Sequence, residues 1–370
     1  MSGPIFRLKR WGGLMLSTRK AVAGDREAIL GLIGKVFGEE VAGRAEGLWG
    51  WQWEQDPRLE TPGYQGVIVE WDGQMIATMA MIPAGLWLRG QPVEAFWYAD
   101  ALVHFAGVRR ALRAARSSGD PDQLALFSQG LSQIIFTAPE LTAYQLGKHL
   151  TPPMQIAARA AGAIEQAGTQ SFGRVVSLKG LLKKPLGRFL GPVLGAFLDL
   201  FLPAIPKPKR KVVRLDGLFD ARFDALWQRV IPQHTAITRR DAAVLNWRYR
   251  AHPEKSYEVW MVEGEAEVLG YLVLGRLERH GQPRAQVVDL LALDEEAEVL
   301  RALLSRALRG LRREGVLKVE CYTGSAAVKS VLERLRFKER MQEGRSMPVV
   351  IRPDPGIDSL YVTRGDGDGG

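Results

Sequence analysis

The sequence predicts an α/β fold, of the α+β kind, in which one mixed β-sheet unit flanked by helices occurs twice in tandem. A signature of the form Trp-x-aromatic-x-x-x-Pro stands at residues 51–57 and returns at residues 247–253. Each copy is followed by two apolar runs around a turn, and then by the same succession of strand, helix, strand and helix. Self-similarity over this many elements indicates a duplicated unit, because chance agreement rarely keeps one order for so long.

The turn chemistry makes the hairpins the clearest strands of the pattern. Asp72-Gly73 and Glu263-Gly264 each place an acidic residue and a glycine between two apolar runs, which is typical of a β-hairpin. In the first half, the helix, the hairpin, a strand, a helix, a buried strand and a short helix are predicted at residues 25–37, 66–82, 100–103, 108–116, 133–137 and 142–149. Together they build one mixed sheet covered by helices.

The second half repeats this order and adds a closing strand. Its elements are predicted at residues 218–231, 257–277, 289–292, 297–314, 317–322, 326–335 and 340–351. The helix over 297–314 has the strongest pattern, because leucines recur at the spacing of one helical face, at Leu300, Leu303, Leu304, Leu308 and Leu311.

These elements divide the chain into five predicted segments. They are an N-terminal extension at 1–14, a first domain at 15–158, a linker at 159–214, a second domain at 215–352 and a flexible tail at 353–370. The tail is expected to be mobile because its end, residues 363–370, is rich in glycine and aspartate and has no apolar anchor.

Length and composition suit a soluble protein with two domains. The chain has 370 residues, of which 46% are hydrophobic and 25% charged; chains of this length usually form more than one core. The single cysteine, Cys321, excludes an internal disulfide framework and a cysteine-based zinc site, and it favours a cytoplasmic setting. The five histidines lack metal-ligand spacing, so no metal is expected.

The net charge of +9 would suit a nucleic-acid partner, but its distribution argues against one. The stretch from residue 174 to residue 214 carries ten basic residues and a single acid, Asp199, and so accounts for the whole net charge. The two predicted domains are therefore close to neutral, and no nucleic-acid partner is expected.

The linker combines this charge with an apolar body. Residues 185–206 are mostly apolar but are interrupted by Arg188, Pro192 and Asp199, so a membrane-spanning helix is not expected. Two interpretations remain open. The segment is either a helix buried between the two domains, or a peripheral membrane contact through residues 179–211, at the inner face of the membrane, that lies on anionic lipid.

The layout resembles the GNAT (Gcn5-related N-acetyltransferase) superfamily in its tandem form, over about residues 15–155 and 215–350. The resemblance implies acetyl-CoA or another acyl-CoA as co-substrate and a small-molecule amine as acceptor. In that family, a glycine-rich loop after the third long strand opens a helix, and its backbone N–H groups hold the CoA pyrophosphate.

By this resemblance, the cofactor-binding candidates of the first half are Val103, Gly107, Val108, Arg109 and Arg110. Only the end of the family's loop is present, because its upstream arginine-glycine part is missing. The two arginines either compensate for the lost N–H donors or form the solvated face of a helix, and both interpretations remain open. In the second half, four carboxylates occupy residues 294–298, so it is expected to bind CoA poorly.

The resemblance also supplies three catalytic candidates. Tyr144 matches the family's tyrosine in the short helix after the fourth strand, where it protonates the departing thiolate. Glu140 lies near it and is a candidate base. Asp100 is the third candidate, because it is predicted to begin the strand that lines the family's acceptor cleft; its repetition as Asp289 also fits a structural role.

Two functional hypotheses follow. The first is an acyl-CoA-dependent N-acyltransferase, such as an acetyltransferase, acting on an amine that is a sugar or a cell-envelope precursor. Dense tryptophans between residues 49 and 97 and the apolar linker suggest this acceptor class. The second is a catalytically degenerate tandem that acts as a scaffold or a membrane-associated binding protein. The incomplete phosphate loop motivates the second hypothesis.

Overall fold

The chain forms two compact units, and each unit takes segments from both halves of the sequence. The computed structural model describes residues 9–11, 14–117, 143–148, 152–166, 170–265, 267–340 and 349–367. The first unit comprises Met1–Gly85, Val93–Glu165 and Val349–Gly356. The second unit comprises Leu86–Pro92, Gln166–Pro348 and Ile357–Gly370. These limits differ from the predicted domain boundaries mainly in the exchanged segments.

Eighteen strands are found among the described residues. Those of the N-terminal part are β1 (Lys9–Trp11), β2 (Leu14–Lys20), β3 (Gly66–Trp71), β4 (Gln74–Pro83), β5 (Leu86–Leu88), β6 (Gln91–Val93), β7 (Ala95–Val103), β8 (Tyr144–Gly147) and β9 (Ile164–Gln166). Those that follow are β10 (Gln170–Val175), β11 (Val212–Arg214), β12 (Ala236–Thr238), β13 (Tyr257–Glu263), β14 (Val268–Arg279), β15 (Gln282–Ala292), β16 (Lys318–Thr323), β17 (Lys338–Glu339) and β18 (Val349–Arg352).

The helices cover both sheets. In the described part of the chain they are α1 (Arg26–Phe37), α2 (Glu39–Trp53), α3 (Phe105–Ser117), α4 (Pro152–Ala160), α5 (Lys179–Leu198), α6 (Ala221–Val230), α7 (Ala242–Tyr249), α8 (Ala297–Glu314) and α9 (Ala326–Arg334). Helix α8 buries the face predicted from its leucine spacing. No helix of the described residues is long and apolar enough to cross a membrane.

The two large sheets have the same strand order. As far as the structure describes the chain, the first sheet runs β1-β2-β3-β4-β7-β8-β18-β9 and the second runs β11-β13-β14-β15-β16-β10-β17. In each sheet one pair is parallel, β7 with β8 and β15 with β16, and the other pairs whose register is described are antiparallel. The prediction of two mixed-sheet units is therefore confirmed, and the matching order supports a duplication.

One strand of each sheet comes from the other half of the sequence. Strand β10 follows the last strand of the first half but lies between β16 and β17 of the second sheet. Strand β18 follows the last strand of the second half but lies beside β8 of the first sheet. The chain thus exchanges the equivalent strand in both directions.

The residues predicted as a linker include two strands and a helix of the second unit. Strands β10 and β11 pair with β16 and β13 of the second sheet. Helix α5, which lies between them, belongs to the same unit. Strands β10 and β11 are short and show little periodicity, so the sequence pattern did not predict them.

The described part of the predicted tail contains several buried residues. Leu360, Tyr361 and Val362 are buried, and Thr363 and Asp366 are buried as well. Short β-bridges join Tyr361 to Ile237 and Thr363 to Thr323. The segment from Ile357 to Gly367 is therefore part of the second unit's core.

The hairpin predictions are confirmed, and two predictions of the first half are not. Asp72 and Gly73 have positive φ, as the turn between β3 and β4 requires. Asp100 lies in the second half of β7 instead of at its start. Residues 144–147 form a strand and not the helix predicted over 142–149, because they pair with β7 on one side and β18 on the other. The strand predicted at 133–137 lies outside the described residues.

Candidate functional site

In each sheet, the pairing of the two parallel strands ends before the longer strand does. In the first sheet, the pairing of β7 with β8 ends at Trp97 and Leu146, one residue before the end of β8, and β7 continues to Val103. In the second sheet, the pairing of β15 with β16 ends at Val287 and Cys321, and β15 continues to Ala292. The region beside the unpaired end of the longer strand is called here the cleft of the first or the second unit.

The cleft of the second unit is filled by the C-terminal segment. The Tyr361 hydroxyl donates to the carbonyl oxygen of Leu290, on β15. The Gly365 N–H donates to the carbonyl oxygen of Val288, at 2.8 Å. On the other side, Thr363 bridges to Thr323 of β16. The segment thus lies beside the unpaired end of β15 and reaches β16.

Little space remains beside this segment. The pocket lined by Asp289, Cys321, Tyr322, Val328, Tyr361 and Thr363, among others, leaves no room for a molecule the size of water. Burial raises the pKa of the Cys321 thiol to about 12, so the thiol is protonated at neutral pH. The cleft of the second unit is therefore closed by the protein itself.

A buried cluster of charges holds the segment in place. Arg240 donates from Nη2 to Asp366 Oδ2 at 2.6 Å and from Nε to Asp289 Oδ1 at 3.2 Å, and all three side chains are fully buried. Arg248 lies 3.8 Å from Asp366. Two arginines and two aspartates balance in charge. The carboxylates hold the pKa of Arg240 well above its usual range against the opposing effect of burial.

Asp289 has a structural role in this cluster. Its Oδ2 accepts from the hydroxyls of Tyr249 and Tyr271, at 3.2 and 3.0 Å. Its Oδ1 accepts from Thr363, at 3.1 Å. A carboxylate this fully bonded is occupied by the protein, so it is not available to a reacting molecule.

The start of helix α8, which follows β15, is acidic, and two of its four carboxylates are paired with basic residues. Glu296 accepts from Arg210 at 2.8 Å, and Glu298 lies 3.9 Å from Lys209. The backbone N–H of Asp294 donates to the side chain of Gln233 at 2.8 Å. Lys209 and Arg210, in the basic run of the predicted linker, therefore form ion pairs with carboxylates of the second unit. Negative side chains at a helix start stabilise the helix and repel phosphate.

The corresponding helix of the first unit begins differently. Only His104 separates the end of β7, Val103, from the start of α3, so the structure contains no loop at this place. The first turn of α3 has no acidic residue, and Arg109 and Arg110 are exposed on its next turn. Helix starts attract anions, and these arginines add positive charge.

Gly107 fixes how closely α3 approaches the sheet. A Cβ atom at this position would lie 3.0 Å from Ile76 Cγ2 and 3.0 Å from His104 Nδ1. Only a glycine permits this distance without movement of its neighbours. Val108 follows it, half-buried against the sheet. Of the five predicted cofactor-binding residues, the structure thus brings all five to the junction of β7 with α3.

Asp100 occupies the position in β7 that Asp289 occupies in β15, since each stands three residues before the strand's last residue. The residues at neighbouring positions of the two sheets differ. Tyr271 is opposite Leu291, and its counterpart Thr78 is opposite Leu102. The Trp–Pro signature places Trp53 where the second unit has Tyr249. The two tyrosines that donate to Asp289 therefore have no counterpart in the first unit.

The structure does not bring Tyr144 and Asp100 together. Tyr144 begins β8 and lies opposite Ala95, and Asp100 stands five residues further along β7. Five residues of a strand span about 17 Å. The two residues therefore lie at separate places along the strands, and the side chain of Asp100 lies outside the described part of the structure. Glu140 lies outside the described residues.

Sequence reasoning missed two buried polar groups where the pairing of β7 with β8 ends. The Tyr98 hydroxyl donates to Gln145 Oε1, and burial raises the pKa of Tyr98. The Lys148 ammonium is buried beside the ring of Trp97, 5.8 Å from its centre. Each pair joins residues about fifty positions apart, so no local pattern could have identified it.

No family model matches the sequence, and a comparison with curated proteins finds no significant match. Solved structures, in contrast, resemble it over most of its length. A GCN5-related N-acetyltransferase from Anabaena variabilis superposes with a TM-score of 0.57 and 13% identity, over 91% of this chain and 72% of the other.

Two further structures agree. A probable N-acyltransferase from Enterococcus faecalis superposes with a TM-score of 0.54 and 11% identity, over 92% of this chain and 72% of the other. The N-myristoyltransferase of Saccharomyces cerevisiae, solved with bound myristoyl-CoA, gives a TM-score of 0.50 and 12% identity, over 91% of this chain and 82% of the other. At these identities the similarity establishes the fold, and this chain has the fold of the GCN5-related N-acetyltransferases.

Proposed function

We propose that the protein is an N-acyltransferase that moves an acyl group from acetyl-CoA or another acyl-CoA to the nitrogen of an amine. The first unit binds the acyl-CoA and carries the reaction. The second unit stabilises the protein and contributes no second acyl-CoA site. The fold supports the reaction class, and the difference between the two clefts supports the assignment to the first unit.

The contrast between the two helix starts is the observation that carries this proposal. The CoA diphosphate is an anion, and it would meet Arg109 and Arg110 at α3 but four carboxylates at α8. The second cleft is also filled by Tyr361 and Thr363. The charge at the helix start and the space in the cleft therefore both favour the first unit as the acyl-CoA site.

The transfer needs little from the protein beyond orientation and one proton acceptor. The amine nitrogen attacks the thioester carbonyl carbon, a C–N bond forms and the C–S bond breaks. The proton of the nitrogen passes to the Asp100 carboxylate or to a water that it holds, and CoA leaves as a thiolate that takes a proton from solvent. Asp100 is assigned this role because it lies on β7 near α3, whereas Tyr144 lies at the far end of the paired region.

The acceptor is an amine on a sugar or on a cell-envelope precursor in this proposal. The aromatic residues of the first unit support it. Trp49, Trp53 and Tyr64 form a ring cluster, with ring centres 4.7–6.4 Å apart. All three rings are buried, so they pack inside the first unit and do not themselves stack on the acceptor.

Calorimetric titration with acetyl-CoA tests the proposal. The expected result is one molecule bound per chain, with Kd raised about tenfold or more by Arg109→Ala combined with Arg110→Ala, because charge-assisted contacts to phosphate are lost. The matched control combines Arg313→Ala with Arg334→Ala, two exposed arginines of the second unit, and should leave Kd unchanged. Two molecules bound per chain would contradict the assignment to the first unit.

A second candidate function follows from the junction of β7 with α3. Because only His104 lies between the strand and the helix, few backbone N–H groups are available to a diphosphate. A protein of this kind could keep the fold and act as a scaffold or a membrane-associated binding protein. Absence of binding at millimolar acetyl-CoA, in a folded sample, would favour this function over the transferase.

A further inference from the structure

Helix α5 and the short helical turn after it present a continuous apolar surface to solvent. Six large apolar side chains there are between 56% and 77% exposed, namely Phe189, Leu190, Val193, Phe197, Leu200 and Phe201. They recur at intervals of three or four residues, which places them on one side of a helix. We call these six residues the apolar face. Single exposed apolar residues are common, but a contiguous group of this size marks an interaction surface.

The opposite side of the same segment is firmly held. Gly191 and Gly195 are buried, and a Cβ atom at Gly195 would lie 2.5 Å from the Cα atom of Lys179. Asp199 is buried and accepts from the Ser177 hydroxyl at 2.7 Å and from the Leu178 N–H at 2.6 Å. The two ends of α5 are therefore fastened to each other, and the apolar face is a fixed surface of a folded element.

The charges of this segment have one sign. Helix α5 contains Lys179, Lys183, Lys184 and Arg188 and no acidic residue. The one acid of the neighbourhood, Asp199, is directed inward to Ser177. The later run that includes Lys209 and Arg210 is paired with Glu298 and Glu296 and is not counted here. The segment thus combines an apolar face with a helix whose charged residues are all basic.

We propose that the apolar face docks on an anionic lipid surface. The six side chains enter the boundary between headgroups and acyl chains, and the basic residues of α5 lie among the anionic headgroups. A second copy of this chain is a less suitable occupant, because each copy would bring the same positive charge to the interface. The inference concerns a different surface from the acyl-CoA site and does not depend on the proposed function.

Flotation of the full chain with lipid vesicles tests the inference. Binding is expected to vesicles of phosphatidylcholine mixed with phosphatidylglycerol, and to be at least about tenfold weaker with phosphatidylcholine alone or at high salt, which screens the headgroup charge. Phe189→Ser combined with Phe197→Ser should abolish flotation. Leu218→Ser is the matched control, because Leu218 is an exposed apolar residue of the same unit outside the apolar face.

Three outcomes would overturn the inference. The first is equal flotation of wild type and the double serine variant, and the second is equal binding to neutral and anionic vesicles. In the third, the wild-type protein does not float and is a dimer, and the double serine variant is a monomer. Light scattering coupled to gel filtration measures the last of these and would identify a second copy as the occupant. Circular dichroism of both variants confirms that they are folded, and acetyl-CoA titration without lipid keeps this test separate from the proposed function.

Discussion

Arg240 donates to Asp366 across 126 residues of sequence, and the two side chains are completely buried. This pair joins the segment before α7 to the end of the described chain. Through Asp366 it also fixes Thr363, whose N–H donates to the same carboxylate at 2.7 Å. The closing of the second cleft therefore depends on one ion pair and its neighbours.

Arg240→Met should lower the free energy of unfolding by about 3–5 kcal/mol, because it leaves two buried carboxylates with too little positive charge. Arg240→Met combined with Asp366→Leu should cost less than Arg240→Met alone, since Arg248 and Asp289 then remain as one charge of each sign. Urea denaturation of wild type, Arg240→Met, Asp366→Leu and the double variant measures these differences. A double variant as unstable as the sum of its single variants would contradict this account.

Cys321 reports on whether the C-terminal segment stays in the cleft. It is buried beside Tyr361 and Thr363, and its pKa of about 12 makes it slow to react with alkylating reagents. Gly365→Ala should increase the alkylation rate, because a Cβ atom there would lie 2.2 Å from the Tyr249 hydroxyl oxygen and force the segment outward. Mass spectrometry of the native protein follows the reaction.

Gly217→Ala is the matched control for this measurement, since nothing lies within 4 Å of a Cβ atom at that glycine. It should leave the alkylation rate of Cys321 unchanged. Equal rates in wild type and Gly365→Ala would show that the segment does not protect the thiol.

His234 should make stability fall in weak acid. Burial and the charge of Arg240 lower its pKa from 6.5 to about 4, and its ring packs on Tyr361 with centres 4.7 Å apart. Between these pH values the unfolded chain binds a proton that the folded chain does not. The stabilisation is therefore complete above pH 6.5 and is lost as the pH falls towards 4.

His234→Gln removes this proton uptake and should flatten the dependence of unfolding free energy on pH, by about 3 kcal/mol between the two limits. Denaturant unfolding at a series of pH values gives the comparison. Parallel curves for wild type and variant would show that another group is responsible.

Asp100→Asn should lower kcat by about 10²–10⁴, the usual contribution of a positioned general base, with little change in the Kd of acetyl-CoA. Tyr144→Phe should leave kcat within a few-fold of wild type, because Tyr144 lies about 17 Å from Asp100 along the strand. A loss of kcat in Tyr144→Phe but not in Asp100→Asn would reverse the assignment.

The sequence predicted the parts of the fold that have local signals. The turn at Asp72-Gly73 and the leucine face of α8 are confirmed, because turn chemistry and helical periodicity act over a few residues. Residues 144–147 were assigned to a helix, since a four-residue strand has too few positions to show a period. Their pairing with β7 and β18 decides the conformation, and that pairing is not visible in a local window.

The candidate site was predictable only in part. The family resemblance located the junction of β7 with α3, and with it Arg109 and Arg110. The closing of the second cleft was not predictable, because Arg240 and Asp366 are distant in sequence and the chain's end is rich in glycine. A weak signal was present in the apolar run at 360–362, which is unusual for a mobile end.

The exchange of β10 and β18 bears on how such a chain can arise and be divided. In a domain-swapped homodimer, each subunit places its last strand in the sheet of its partner. Fusion of two copies of such a gene would keep this arrangement, and the connectivity of β10 and β18 is the one expected from it. A fragment ending at residue 165 would expose an unpaired edge at β8, and one beginning at residue 176 would do so at β16. Neither half of the chain contains all the strands of its sheet, so recombination can transfer the two units only together.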